Sequence, residues 1–414
     1  MANRSEGDER SLRSAASALS LLRRQHERGL IPGGQITVRR RGHVLFEGAV
    51  GIARGLRATE ATEVTPGSAD EGAPLDSVSA STTFQVMSVS KAVVALAIAI
   101  LEDRGLVEIA APVARVIPAF AAQGKGDITL LDVLTHRSGL VLDGLVRRPE
   151  LWSDWPAVVA AISDARPEHP RGTLAYESHA FGWILAEIVR RVTGRSLPEF
   201  LAENLPAEPA GLRFVRAPDA PAPARTYWLG KSRYRLGGVN LPDRFEEVNN
   251  TIAGHRAMVP GAAMIANGRS LVAFYDLLVS GGIDAGGRRV IRAEVLHPYI
   301  TRQTAGRDRI TGAYLVLGRG FALGWRWPHI YGWWGSTSCF GHAGGFCCVA
   351  FADPATGTAV AILTNGNRSL PDMVRRLAPL SQRLRKVGSM IGPMAGSMIG
   401  SMIGPSAAAG AGGP

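Results

Sequence analysis

Ten consecutive apolar residues, Ala92 to Leu101, follow directly on Ser88-Val89-Ser90-Lys91, and this run constrains the fold more than any other feature. It predicts a helix from Ser88 to about Asp103, stopped at Gly105. A helix that is apolar all round needs protein on every side. The run is about half the length of a membrane span, so the helix belongs inside a large core. A chain of 414 residues, 46% hydrophobic and 20% charged, can supply one.

The segments on either side differ in character. Residues 10 to 29 place Leu12, Ala15, Ala16, Leu19, Leu22 and Arg23 at helical spacing, with Gly29 at the stop. Gln35 to Arg39 and Val44 to Val50 read as strands of a hairpin around Arg40-Arg41-Gly42-His43, and Leu56 to Ser81 reads as an exposed loop. From 105 to 260, short helical segments alternate with Pro- and Gly-marked loops and include an amphipathic helix over Phe181 to Val192. Another helix is expected at about Ser270 to Ser280. β character then returns at Gly320 to Trp327, Gly345 to Ala352 and Thr358 to Thr364, before a last helix at about Leu370 to Lys386. Strands at both ends and helices between them predict one α/β domain built from residues 1–90 and 261–386, with a mostly helical domain, 91–260, inserted.

Residues 387–414 carry no charge, and Gly388, Gly392, Gly396, Gly400 and Gly404 recur every fourth position in phase with Met390, Met394, Met398 and Met402. Such spacing suits a helix-pairing face, which would serve a homo-oligomer or touch a membrane. Pro393 and Pro405 interrupt it and the segment is short for a span, so a low-complexity Gly/Met/Ala extension is the preferred reading. The excess of 46 Lys+Arg over 35 Asp+Glu, a formal +11, raises the question of nucleic acid. The basic residues are mostly scattered Arg with no recognisable binding module, so no nucleic-acid partner is expected. Cys339, Cys347 and Cys348 form neither a disulfide framework nor a zinc-site spacing, and the adjacent pair reads as small apolar packers. No P-loop, H-E-x-x-H or dinucleotide fingerprint is present, so no cofactor or metal is expected. The first ten residues are polar, without a secretory h-region, which leads to the expectation of a cytoplasmic protein.

Ser88 and Lys91 stand three residues apart, about one helical turn, so their side chains share a face. Burial disfavours a charged lysine and makes it a proton acceptor for a weak serine nucleophile, while the helix start offers unpaired N–H groups to an oxyanion. An S-x-x-K tetrad alone is common by chance. Its neighbours are more specific: Phe84-Gln85-Val86-Met87 before it, Leu130-Leu131-Asp132-Val133-Leu134-Thr135-His136-Arg137-Ser138-Gly139-Leu140 after it, then Tyr176-Glu177-Ser178 and His342-Ala343-Gly344. In this order they resemble the serine β-lactamase and penicillin-binding-protein superfamily, and within it the class C-like branch that includes family VIII carboxylesterases. The resemblance runs from about Pro32 to Leu384. It implies the β-lactamase/transpeptidase-like fold, an antiparallel sheet flanked by helices with an inserted helical domain.

The resemblance also implies roles. Ser88 would be acylated, Lys91 would activate it, and Tyr176 would share the base role and return a proton to the leaving alcohol. The backbone N–H groups of Ser88 and Gly345 would form the oxyanion hole. Ser178, His342 and Gly344 would meet the substrate, with Gly344 and Gly345 letting the strand edge approach without a Cβ. His136 reads as a structural residue, and some of Trp325, Trp327, Trp333 and Trp334 as core or acyl-pocket wall. Two positions depart from the penicillin-recognising pattern: Ser178 replaces an asparagine amide, and His342, mostly neutral at pH 7, replaces a lysine cation. Both favour a small-molecule neutral ester with a short to medium acyl chain. The alternatives are an acyltransferase or thioesterase-like biosynthetic enzyme, a weak β-lactamase or D-amino-acid peptidase, and a non-catalytic scaffold, the last disfavoured because Ser88, Lys91 and Tyr176 are all present.

Overall fold

The computed structural model describes residues 2–56, 75–206, 211–229, 235–236, 239–240, 248–326, 329–334 and 337–390. Their largest feature is a nine-stranded antiparallel sheet. Strands β1 (Gly33–Arg40) and β2 (His43–Arg54) form its first hairpin, and β3 (Asp76–Ser77) lies at the edge. The hairpin turns at Arg41 and Gly42, both at positive φ (49° and 82°), the conformation that a tight two-residue connection demands. The remaining strands are β4 (Thr304–Arg307), β5 (Tyr314–Leu317), β6 (Ala322–Leu323), β7 (Phe340–Gly344), β8 (Cys348–Asp353) and β9 (Thr358–Thr364). The order across the sheet is β3-β2-β1-β9-β8-β7-β6-β5-β4. The two ends of the chain meet where β1 pairs β9, from Gly34 opposite Thr364 to Arg40 opposite Thr358.

Period-two alternation divides the central strands between two apolar layers. Val349, Phe351, Val360 and Ile362 pack with Ala15, Leu19 and Leu22 of helix α1 (Ala2–Glu27) and with Leu377, Leu380 and Leu384 of the C-terminal helix. Ala350, Ala352, Ala359 and Ala361 face the other way, and small side chains there let helix Gly268–Val279 lie close on the sheet. Beyond that helix lie the apolar helix α2 (Ser90–Asp103) and helix α3 (Ala180–Thr193), which pack together; α4 is Gly268–Val279 and α5 is Leu370–Met390. Every residue of α2 from Ser90 to Leu101 is buried, as the apolar run requires. At roughly 1.5–3 kcal/mol for each buried Val, Leu or Ile, this helix is an anchor on which a functional group can be held rigidly.

The structure corrects several local expectations. Helix α2 starts at Ser90, and Ser88 sits on a tighter 3₁₀ turn, Met87–Val89. Gly345 to Cys347 form a turn, so the expected strand at Gly345 begins only at Cys348. Only Ala322–Leu323 of the stretch from Gly320 is strand, and Trp327 lies outside the described residues. The loop expected from Leu56 falls largely on 57–74, also outside them. Helix α5 runs past Lys386: Val387 is buried, and Gly388 packs so tightly that a Cβ there would lie 1.8 Å from Thr358 Oγ1. The helix therefore takes in the first residues of the Gly/Met repeat, and the rest of that repeat, 391–414, lies outside the described residues. Among the described residues no helix is long and apolar enough to cross a membrane.

Candidate active site

The segment leading to Ser88 is fixed by its backbone. Phe84–Gln85 pairs with Ile265–Ala266, Val86 N–H donates to Met264 O at 2.8 Å, and the Ser90 hydroxyl donates to Met87 O while accepting from Met264 N–H. Met87 adopts a positive φ of 48°, which turns the chain sharply into the 3₁₀ turn that carries Ser88. One turn later Lys91 Nζ lies 3.1 Å from Ser88 Oγ and donates to Ser178 O and Gly261 O, each at 2.8 Å. Gly261 comes this close because it packs backbone to backbone on α3; a Cβ on Gly182 would fall 2.1 Å from Gly261 N. Lys91 is fully buried, and the desolvation of its ammonium lowers its pKa from 10.5 to about 7, against the opposing pull of the Glu177 carboxyl. Burial thus brings the neutral amine within reach at physiological pH, beside the serine.

Tyr176 faces the same pair. Its ring centroid is 5.0 Å from Lys91 Nζ, its phenol is within hydrogen-bonding reach of Ser88, and burial raises its pKa, so it stays protonated. It can therefore relay a proton between Lys91 and a leaving group, which refines the shared base role implied by the resemblance. Its main chain is held by Asp308, whose Oδ1 accepts Tyr176 N–H at 2.7 Å. His136 Nδ1 accepts Glu177 N–H at 3.1 Å, with its ring packed at a tilt between Tyr176 and Phe181. Buried and depressed in pKa, His136 is a neutral brace for this segment. Ser178 offers its carbonyl to Lys91, and its hydroxyl lies 2.8 Å from His179 Nδ1.

The third segment comes from β7. His342 Nδ1 lies 2.6 Å from Ala343 O, which places its ring proton there, and burial followed by the nearby Lys91 charge lowers its pKa to about 3. His342 is thus neutral. A Cβ on Gly344 would meet Val86 O at 2.0 Å, so the missing side chain admits the backbone that leads to Ser88. Gly345 has a φ of 56° and abuts Met87, the residue before Ser88. The following residue is held at both ends, Phe346 N–H by Asn367 Oδ1 at 3.1 Å and Phe346 O by Arg376 at 2.8 Å. Among the described residues the N–H groups of Ser88 and Gly345 have no acceptor, which leaves both for an oxyanion.

Ser88, Tyr176, Ser178, His342 and Gly345 all line one cavity of about 470 Å³. Lys91 lies behind Ser88, and Gly344 packs behind the wall. The cavity is mainly apolar, and among the described residues no Lys, Arg, Asp or Glu lines it. Its histidines, His179, His329 and His342, are lowered by burial to about 3, 4 and 3. Trp325 is part of the wall as expected, and so are Trp152 and Tyr314, which the sequence did not single out. Trp333 and Trp334 are not: they are 42% and 70% exposed, on the surface beside α5.

Comparison with known proteins decides the family. The sequence pattern of the family described as Beta-lactamase matches residues 19–382. The chain belongs to the beta-lactamase family. It is accordingly an enzyme of the serine β-lactamase and penicillin-binding-protein superfamily of hydrolases. Esterase/beta-lactamase LipL of Mycobacterium tuberculosis is 30% identical over 312 residues, 69% of this chain and 70% of that protein. Among solved structures, a penicillin-binding protein homolog from Caulobacter crescentus matches at 25% identity with a TM-score of 0.71, covering 88% of this chain and 96% of its own. A family VIII carboxylesterase shares the fold at a TM-score of 0.70 and 22% identity, covering 89% of this chain and 97% of its own. On this beta-lactamase scaffold, reasoning from sequence missed Gly261, Asp308 and Asn367. None belongs to a local motif, and each acts through a backbone group brought near only by folding.

Proposed function

We propose that this chain is a carboxylesterase that transfers the acyl group of a neutral, apolar ester to Ser88 and then to water. The observation that carries this reading is the uncharged wall of the cavity into which Ser88 opens. A carboxylate-bearing β-lactam or peptide would meet no cation there among the described residues, whereas an aliphatic or aromatic acyl chain replaces water against Trp152, Tyr314 and Trp325. The M. tuberculosis relative, named both esterase and β-lactamase, supports the chemistry and leaves the substrate to the cavity.

Neutral Lys91 takes the Ser88 proton as Oγ attacks the ester carbonyl carbon, and the oxygen that gains the electron pair is received by the N–H groups of Ser88 and Gly345. As the carbon–oxygen bond to the alcohol breaks, Tyr176 gives its phenolic proton to the departing oxygen and is reprotonated from Lys91. Water then attacks the acyl-enzyme by the reverse route and restores Ser88. The test is turnover of p-nitrophenyl acetate, butyrate and octanoate beside nitrocefin, with intact-mass detection of the acyl-enzyme. Ester turnover far above nitrocefin turnover, abolished in Ser88→Ala, is expected; equal turnover by Ser88→Ala would refute the nucleophile, and preferred nitrocefin would refute the substrate class.

A further inference from the structure

Asp308 is buried at the start of the turn joining β4 to β5, 132 residues from Tyr176 in sequence, and takes no part in the reaction as written above. Its Oδ1 accepts Tyr176 N–H at 2.7 Å, and its Oδ2 accepts Thr311 N–H at 2.7 Å together with the Thr311 hydroxyl. The turn is tied to the tyrosine segment a second time, since Arg309 N–H donates to Leu174 O at 3.0 Å. Asp308 also closes its own turn, donating from its N–H to Ala313 O at 2.8 Å and accepting Gly312 N–H at 3.0 Å. The residues so fixed, Thr311 and Ala313, line the cavity with Tyr314 and Leu315. One carboxylate therefore grips the main chain of the proton-relaying tyrosine on one side and the cavity wall on the other.

We propose that Asp308 is a positioning residue for acid catalysis, setting where the Tyr176 hydroxyl stands relative to the departing alcohol oxygen. The inference rests on the esterase reading and sharpens it. A hydrogen bond to the backbone of residue 176 fixes the origin of that side chain, and a phenol displaced by about 1 Å loses most of its value as a proton donor while Ser88 and Lys91 stay in register. The step it serves is balanced: the carbon–oxygen bond breaks, its electron pair stays on the alcohol oxygen, and the Tyr176 proton joins that oxygen.

Leaving-group dependence separates this role from a general loss of structure. A p-nitrophenolate departs without protonation, whereas an alkoxide does not. Wild type, Tyr176→Phe, Asp308→Ala and Asp308→Asn are compared on the p-nitrophenyl and ethyl esters of butyric acid, with thermal melts alongside. Asp308→Ala is expected to lose about tenfold to a hundredfold more kcat/KM, which reports acylation, on the ethyl ester than on the p-nitrophenyl ester, as Tyr176→Phe does. Asp308→Asn keeps an oxygen for Tyr176 N–H and is expected to recover most of that difference. Equal losses on both esters in Asp308→Ala, with Tyr176→Phe discriminating, would overturn the role of Asp308 and leave the esterase reading standing. If Tyr176→Phe itself fails to discriminate, Tyr176 is not the proton donor and the role of Asp308 is overturned with it.

Discussion

Replacing Lys91 by methionine keeps much of the side-chain volume and removes the titrating group, and its consequence can be worked from burial alone. The lysine titrates at about 7 in the fold against 10.5 in its ordinary state, so between those values the unfolded chain binds more protons than the folded one. Stability conferred on the wild type must rise with pH through that window: the penalty for burying the ammonium is fully present below about 7 and gone above 10.5. Each unit is worth about 1.4 kcal/mol, and across pH 6 to 9, where the folded group crosses its midpoint, the gap between wild type and Lys91→Met should change by about 3 kcal/mol. Losing the donor to Ser178 O and Gly261 O shifts that gap by a constant amount and leaves its slope intact. Urea unfolding of both proteins at unit pH steps measures the slope. The same group should give kcat/KM of the wild type an ascending limb centred near 7. A gap that stays within about 0.5 kcal/mol over the whole range, together with kcat/KM lacking that limb, would show that Lys91 is not neutralised by burial.

Three further outcomes follow from the geometry. His342→Lys should raise kcat/KM for esters ending in a carboxylate by about tenfold relative to neutral esters of equal length, measured as a ratio within each protein. Gly344→Ala forces a Cβ to within 2.0 Å of Val86 O and should displace the serine turn, costing about 1–3 kcal/mol by denaturant titration as well as most of kcat; near-wild-type activity would contradict the close approach. Trp152→Ala, which removes an aromatic from the cavity wall, should raise KM for octanoate more than for acetate in a chain-length series.

What could be read from the sequence was the part whose chemistry is local. Ser88 and Lys91 meet because three residues make one turn, and the apolar run after them could only be interior, so their contact and the burial of Lys91 are legible together. The order of Tyr176 and His342 brought the remaining site side chains into view. Strands β4 and β7 are not legible from the sequence: β4 reads Thr-Ala-Gly-Arg and β7 Phe-Gly-His-Ala-Gly, and such short, glycine-bearing stretches are strands only because neighbours pair with them. The start of α2 was misplaced by two residues because Met87 takes a strained backbone conformation that no propensity favours. The approach of Val86 to Gly344, across 258 positions of sequence, is a tertiary fact that no local pattern carries.

Burial gives this site two properties that cannot be changed independently. The same exclusion of water that lowers Lys91 to about 7 also holds His342 at about 3, and each group, when charged, disfavours the charge of the other. A cation engineered at position 342 to attract carboxylates must therefore also lower the Lys91 pKa further, moving the ascending limb of kcat/KM in His342→Lys below that of the wild type. A substrate preference that changes without movement of that limb would separate the two effects and place the cation too far from Ser88 to have acted through the lysine. On the proposed esterase reading, the uncharged wall would thus both select a neutral ester and leave Lys91 able to take the proton of Ser88.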